Sequence, residues 1–223
     1  MSADAVTIPV DDAHTVSGLF QHPAGARACF VLAHGAGAGM RHPFMEQVAV
    51  ELAARHIATL RYQFPYVERG SRRPDPPKLC HATVRAAVSI ATRLAPALPL
   101  IAGGKSFGGR MTSQAQAAEP LSGVRGLAFL GFPLHPPRQP ADARGEHLAA
   151  VRIPMLFLQG TRDELADLSL LQPLVATLGD RATLHLVADA DHSFHVLARS
   201  GRNDVQVRGE MLAAFAAWTE SIR

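Results

Sequence analysis

The sequence contains little cysteine: Cys29 and Cys80 are the only two in 223 residues. Two cysteines cannot build the dense disulfide framework that stabilises small secreted domains. No apolar run reaches the roughly 20 residues that a membrane-spanning helix needs. The first ten residues lack a basic segment followed by a long apolar stretch, so the sequence does not predict a signal peptide. We therefore expect a cytoplasmic protein that makes no membrane contact.

Basic and acidic residues nearly balance, and the net charge is only +3 with histidine neutral. The single basic cluster, Arg69 with Arg72 and Arg73, lies in a loop-like stretch and is not interleaved with aromatic residues. A nucleic-acid-binding surface is therefore not expected. No group of histidine, cysteine and aspartate has the spacing of a metal site, so we expect no metal and no cofactor.

What the chain does contain is typical of one globular domain over residues 1–223: 48% hydrophobic and 18% charged residues. Apolar segments at 6–10 and 15–20 predict a leading hairpin. Further strands are predicted at 28–33, 57–62, 98–102, 124–130, 153–158 and 183–187, and helices at 44–55, 79–94, 110–118, 168–178 and 205–222. This alternation predicts an α/β fold with a mostly parallel, twisted sheet of about seven to eight strands and helices on both faces.

Two segments are rich in proline, residues 63–78 and 132–145. Proline at this density disfavours regular helix and central strand, so we expect irregular loops there. Both segments follow strands of the predicted sheet and should lie at its carboxyl edge, where open α/β sheets bind ligands. Neither segment is long enough for a large lid domain, which predicts an open, shallow site.

A serine between glycines, in Gly104-Lys105-Ser106-Phe107-Gly108, lies between a predicted strand and a predicted helix. This context is typical of a nucleophile elbow, a strained turn that exposes the serine while the glycines let strand and helix pass closely. The sequence therefore predicts Ser106 as a nucleophile. In such a turn we expect the neighbouring Lys105 side chain to point away from the substrate.

Two nucleotide-binding alternatives fail on spacing. A phosphate-binding P-loop ending at Gly104-Lys105-Ser106 needs a glycine five positions before Gly104, where this chain has Pro99. The glycine-rich segment His34–Gly39 resembles a dinucleotide-binding loop, but the third glycine is replaced by Met40.

A serine nucleophile needs a histidine base and a carboxylate that orients the histidine. Asp163 is the predicted acid, because it directly follows the strand at 153–158 and should lie at the same sheet edge as Ser106. Glu164 and Asp167 are local alternatives. Asp167 precedes a predicted helix, so it is the better N-cap candidate, which favours Asp163 as the acid.

His192 is the predicted base, because it lies in the polar loop after the last strand. His195, three residues later, is the alternative. Acyl transfer also needs hydrogen-bond donors for a developing oxyanion. We predict the backbone N–H groups of Phe107 and Ala36 for that role, with Gly37 as the alternative to Ala36. Six side chains are candidates for the apolar lining of the site, and most of them could equally belong to the core: Phe107, Met111, Phe132, Leu134, Leu165 and Phe194.

With these residues in place, the chain resembles an α/β-hydrolase from about residue 28 to residue 223. It is more narrowly similar to a small, lidless bacterial group of predicted hydrolases, whose eukaryotic relatives include testis-expressed proteins and a subunit of a chromatin acetyltransferase complex. Four segments carry the narrower resemblance: Leu32-Ala33-His34-Gly35-Ala36-Gly37, Arg61-Tyr62-Gln63-Phe64-Pro65-Tyr66, Pro74-Asp75-Pro76-Pro77 and Gly104-Lys105-Ser106-Phe107-Gly108-Gly109-Arg110. Dienelactone hydrolases and small carboxylesterases share the compact plan, although Ser106 excludes a cysteine nucleophile.

The resemblance implies a serine hydrolase that acts on a carboxylic ester or thioester of a small molecule. Because this fold hosts many activities, it does not imply which acyl group is cleaved. A peptidase or amidase with the same three residues remains an alternative, as does a non-catalytic interaction module that has kept the fold. The oligomeric state is left open.

Overall fold

The protein is described here by a computed structural model that covers residues 3–222. Residues 1, 2 and 223 of the predicted domain lie outside the described residues. Within residues 3–222, eight strands form one sheet in the order β1-β2-β4-β3-β5-β6-β7-β8. The strands are β1 (Asp4–Pro9), β2 (Thr15–Gln21), β3 (Ala28–Ala33), β4 (Ile57–Tyr62), β5 (Leu100–Lys105), β6 (Val124–Leu130), β7 (Met155–Gly160) and β8 (Ala182–Val187).

The predicted hairpin is present, since β1 pairs with β2 in antiparallel register. Strand β2 also runs antiparallel to β4, whereas every later pair is parallel. Strands β3, β4 and β7 are buried at every position. Near-continuous apolar segments such as these are expected where helices cover both faces of a sheet.

In the described part of the chain, six α-helices surround the sheet: α1 (Pro43–Ala53), α2 (Pro65–Glu68), α3 (Pro77–Leu94), α4 (Phe107–Ala118), α5 (Leu168–Thr177) and α6 (Asp204–Ser221). Helices α1 and α6 share one apolar cluster with one face of the sheet. Helices α3, α4 and α5 pack into a second cluster on the opposite face. The predicted fold class, a mostly parallel α/β sheet with helices on both faces, is confirmed.

The proline-rich segments are more regular than predicted. Within residues 63–78 the chain forms α2, which begins at Pro65, and α3 begins at Pro77. Within and after residues 132–145, a 3₁₀ segment spans Ala143–Ala150. The expected irregular loops are present over residues 69–76 and 132–142. The expectation was wrong at Pro65 and Pro77, because proline is favoured at the first position of a helix, where no N–H donor is needed.

The strand before Ser106 and the helix after it both extend further than predicted. Strand β5 continues to Lys105 and helix α4 begins at Phe107, so Ser106 alone connects them. A phosphate-binding loop has no room there. The residues that follow β3, β5, β7 and β8 meet at the carboxyl edge of the sheet. Within residues 3–222, none of the helices is both long and apolar enough to cross a bilayer.

Because α4 passes so closely beside the end of β3, a single methyl group added at Gly108 should lower the stability of the fold. A Cβ added at Gly108 would lie 2.5 Å from the His34 carbonyl oxygen, whereas one added at Gly209, inside α6, meets nothing within 4 Å. We expect Gly108→Ala to lower the free energy of unfolding by roughly 1–3 kcal/mol through overpacking. The control Gly209→Ala should raise it by about 0.5–1 kcal/mol. Urea denaturation measures both, and equal stabilities of the two variants would contradict the prediction.

Candidate active site

Ser106 has a backbone conformation that is rare for a residue with a side chain, φ 50° and ψ −117°. Such a conformation persists only where the surroundings enforce it. Here they do, because Gly104 and Gly108 bring β5 and α4 against the backbone of β3 too closely for any Cβ. The strand–turn–helix geometry of a nucleophile elbow is therefore present at the predicted serine.

The Ser106 hydroxyl meets the imidazole of His192, with 2.8 Å between Oγ and Nε2. His192 belongs to the segment after β8, residues 188–196, which we call the His192 loop. A turn centred on Asp191 shapes this loop: its Oδ1 accepts hydrogen bonds from the N–H groups of Ser193, at 2.8 Å, and His195, at 2.9 Å. The sheet places the loop above the end of β5, and the turn directs the imidazole toward Ser106.

The other ring nitrogen of His192, Nδ1, lies 2.7 Å from Oδ2 of Asp163. Asp163 is 6% exposed. Its Oδ2 also accepts from Nε2 of Gln159, at 2.5 Å, and its Oδ1 accepts from the N–H of Leu165, at 2.8 Å. Because the carboxylate accepts every one of these bonds, we assign the imidazole proton to Nδ1. Nε2 then accepts from the Ser106 hydroxyl.

The alternatives considered for acid and base lie elsewhere. His195 contacts Asp204, with 2.9 Å between Nδ1 and Oδ2, and not Ser106. Asp167 caps α5 by accepting from the N–H of Ser169 at 2.8 Å, as its position before a helix predicted. Glu164 is exposed. The structure therefore brings Ser106, His192 and Asp163 into one hydrogen-bonded chain and leaves the alternatives outside it.

The surroundings hold the imidazole in its neutral form. Burial is the main cause that lowers the pKa of His192, and the nearby Lys105 ammonium lowers it further. The carboxylates of Asp163 and Asp191 oppose these effects. A neutral imidazole is the form that can accept a proton from a hydroxyl, so the protonation state suits a general base.

Both predicted oxyanion donors lie beside Ser106. Phe107 follows Ser106 at the start of α4, and Ala36 lines the same cavity as the serine. Within residues 3–222, neither backbone N–H meets an acceptor. The loop that carries Ala36 is fixed by buried His34, whose Nδ1 donates to Gly35 at 2.8 Å and whose Nε2 accepts from Phe64 at 3.1 Å. Burial lowers the pKa of His34 to about 4, which keeps it neutral.

A cavity of about 370 Å³ opens beside Ser106. Its wall consists mainly of small and apolar groups from the glycine-rich loop, the start of α1 and the loops after β7 and β8: Gly35, Ala36, Ala38, His42, Phe44, Met45, Lys105, Ser106, Leu165, His192 and Ser193.

Of the six candidates for apolar lining, Leu165 lines the cavity. Met111, Phe132, Leu134 and Phe194 are at most 2% exposed and belong to the core. Phe107 packs instead against the rings of Phe64 and Tyr66.

Two sets of residues near this site were not predicted from the sequence. His42, Phe44 and Met45 line the cavity from the start of α1, and the local sequence does not indicate this, because it depends on packing against residues far along the chain such as Phe194. Gln159 is a polar residue at the end of a buried apolar strand, just before the predicted acid, a position that could have suggested its contact with Asp163.

A second serine–histidine pair lies away from this cavity. Oγ of Ser113, inside α4, is 2.7 Å from Nε2 of His147 and donates to the carbonyl of Arg110 at 2.9 Å. Since Ser113 already donates its proton, His147 must supply the hydrogen in their contact. Burial and nearby cations lower the pKa of His147 to about 4. Among residues 3–222 no carboxylate bonds His147, so this pair lacks the acid that Asp163 provides in the first site.

Within residues 3–222, no three histidine, cysteine, aspartate or glutamate side chains form a cluster that could hold a metal ion.

Comparison with protein families matches residues 26–220 to the alpha/beta hydrolase domain. The chain belongs to this family. The match spans every strand from β3 to β8 and all three residues of the hydrogen-bonded chain.

Solved structures resemble this alpha/beta hydrolase over nearly its whole length. A dienelactone hydrolase from Anabaena variabilis is 20% identical, with a TM-score of 0.77 over 99% of this chain and 98% of that one. A lidless α/β serine hydrolase from Xanthomonas campestris is also 20% identical, with a TM-score of 0.73 over 98% and 95%. A cold-adapted esterase from an Arctic intertidal metagenomic library is 21% identical, with a TM-score of 0.67 over 99% and 93%.

At these identities the likeness shows the fold. It confirms the expected resemblance to dienelactone hydrolase-like and lidless structures. The narrower link of this alpha/beta hydrolase to testis-expressed proteins and a chromatin-complex subunit stays a prediction.

The contact with Asp163 predicts how the pKa of His192 changes when the carboxylate is removed. In the wild type its pKa should lie below the ordinary value for histidine, because burial outweighs the carboxylate. Asp163→Asn removes a charge that favours imidazolium, so the pKa of His192 should fall further. Histidine-selective NMR over a pH series measures this. As a matched control, the exposed His195 has a pKa raised by Asp204, and Asp204→Asn should lower it without moving His192. A His192 pKa that Asp163→Asn leaves unchanged would contradict the assigned contact.

Proposed function

We propose that the protein is a serine hydrolase that cleaves a carboxylic ester or thioester of a small molecule. One observation carries the proposal: an unbroken hydrogen-bonded chain runs from Ser106 through His192 to buried Asp163 at the wall of a cavity. The family to which the chain belongs supports a hydrolase.

In the proposed mechanism, Oγ of Ser106 attacks the acyl carbon while its proton passes to Nε2 of His192. The bond between the acyl carbon and the leaving group then breaks, and His192 gives the proton to the departing oxygen or sulfur. Water enters, loses a proton to His192 and attacks the acyl-enzyme. Ser106 recovers its proton as the acid product leaves, so the enzyme returns to its starting state.

Asp163 supports these transfers in two ways. Its contact with Nδ1 holds the tautomer in which Nε2 can accept a proton, and its charge stabilises the imidazolium that forms. Gln159 and the N–H of Leu165 hold the carboxylate in place. The N–H groups of Phe107 and Ala36 are available to stabilise negative charge on the substrate oxygen, a contribution that commonly amounts to about 3–4 kcal/mol per donor.

The cavity supports a small acyl substrate. A volume of about 370 Å³ and walls from Phe44, Met45 and Leu165 suit an apolar acyl group of modest size. Structural neighbours named as a dienelactone hydrolase and as esterases agree with ester chemistry. Amide hydrolysis uses the same three groups, and a panel of matched ester, thioester and amide substrates distinguishes these activities.

Ser106→Ala should abolish turnover of p-nitrophenyl esters, lowering kcat by roughly 10³-fold or more, and should prevent labelling by a fluorophosphonate. Ser113→Ala is the matched control, because it removes the other serine that contacts a histidine. Ser113→Ala should retain both activity and labelling. Mass spectrometry of the labelled protein should locate the adduct on Ser106.

If Ser113→Ala loses labelling and Ser106→Ala keeps it, the nucleophile is Ser113 and not Ser106. A correctly folded wild type that neither labels nor cleaves any substrate of the panel would overturn the proposal in favour of a non-catalytic module.

A further inference from the structure

Lys105 is one of two lysines in the sequence. It is the last residue of β5, directly before Ser106. The expectation that its side chain points away from the site was wrong, because Lys105 lines the cavity. Its ammonium donates a hydrogen bond to the backbone carbonyl of His192. The same Nζ lies 5.4 Å from the centre of the Phe194 ring, within range of a cation–π interaction.

The fold leaves a fitted space for this ammonium. Gly131, directly after β6, has φ +72° and carries no Cβ that could fill the space. A Cβ added there would lie 3.0 Å from Nζ of Lys105 and 3.5 Å from the ring of His192. The N–H of Gly131 donates to the carbonyl of Leu158 at 2.9 Å, which fixes the turn. The lysine therefore extends from β5 past Gly131 to the His192 loop.

The His192 loop depends on contacts from outside itself. Asp189 and Phe194 both have positive φ, 59° and 62°. Phe194 is 2% exposed and stacks on Phe44 with 6.0 Å between ring centres. Non-glycine residues in this conformation need surrounding structure to hold them. Lys105 contacts the loop at His192 itself, through the backbone carbonyl of that residue.

We propose that Lys105 is a positioning residue, whose ammonium fixes the backbone of His192 so that the imidazole reaches Ser106 and Asp163 together. The proposal rests on the proposed function in one respect, the role of His192 as base. Without the bond to the carbonyl, the loop can shift relative to β5. The contacts of 2.8 Å to Ser106 and 2.7 Å to Asp163 then no longer hold at the same time.

The ammonium also has an electrostatic effect on the base. Three charged groups face the imidazole: Lys105 from β5, Asp163 from the loop after β7 and Asp191 from the His192 loop. The two carboxylates favour imidazolium, and Lys105 disfavours it. Burial lowers the pKa of Lys105 to about 8, so the amine is mainly protonated at neutral pH. Removal of this charge should therefore raise the pKa of His192.

The test compares Lys105→Met with Lys78→Met, the exposed lysine serving as the matched control. Methionine keeps the length of the side chain and removes both the charge and the donor. With the ester that the wild type cleaves best, we expect Lys105→Met to lower kcat roughly 10- to 100-fold, as for a misplaced catalytic group. KM should change less than twofold. The acid limb of the pH profile of kcat/KM should move to higher pH, and Lys78→Met should match the wild type throughout.

Two NMR measurements do not depend on turnover. With only two lysines, carbon-13 labelling at Cε gives two resonances, and the one lost in Lys105→Met should titrate near pH 8. Nitrogen-15 histidine spectra report the imidazole of His192, whose pKa should rise in Lys105→Met. Thermal unfolding monitored by circular dichroism checks that the variant is folded.

Three results would overturn the inference. A folded Lys105→Met with unchanged kcat and unchanged imidazole resonances shows that the ammonium does not position His192. A rise in KM with kcat retained shows that Lys105 binds substrate instead. If the wild type itself cleaves no ester, the proposed function fails separately, and unchanged histidine resonances in Lys105→Met then count against the positioning role.

Discussion

The close passage of β5 and α4 beside the end of β3 is the constraint on which the rest of the site depends. Backbone from three elements meets where Gly104 and Gly108 leave no room for a Cβ. The chain can turn there within one residue only if that residue accepts an unfavourable conformation, and Ser106 does so. The sheet and two apolar clusters stabilise the packing that imposes this strain. The position of the hydroxyl thus follows from packing and not from the serine itself.

Parallel strand order supplies the other groups. Because β5, β7 and β8 all run in one direction, their following loops emerge at one edge and bring Ser106, Asp163 and His192 together from distant parts of the sequence. Each group then receives its own local support: Gln159 holds the carboxylate, the Asp191 turn shapes the histidine loop and His34 fixes the glycine-rich loop. The sheet gives the approximate placement, and these polar contacts refine it.

The parts of the site that sequence could predict are those encoded by neighbouring residues or by strand order. The Gly–X–Ser–X–Gly pattern is local, and Asp163 and His192 lie in the loops after β7 and β8, so their meeting could be anticipated. The cavity wall from Phe44 and Met45 could not, because it depends on how α1 packs against a loop far along the chain. The direction of Lys105 depends in the same way on the gap at Gly131. The prediction of an irregular loop failed at Pro65, because proline disrupts the interior of a helix but is accepted at its first residue.

Ser106, Asp163 and His192 follow strands that differ in their position in the sheet and in their burial. Ser106 follows β5, which has paired neighbours on both sides, whereas His192 follows β8, the outermost strand of the described sheet, most of whose residues are only partly buried. Outer strands open locally at lower free energy than central ones. We therefore expect local opening of β8 to move His192 away from Ser106 while the central strands stay folded.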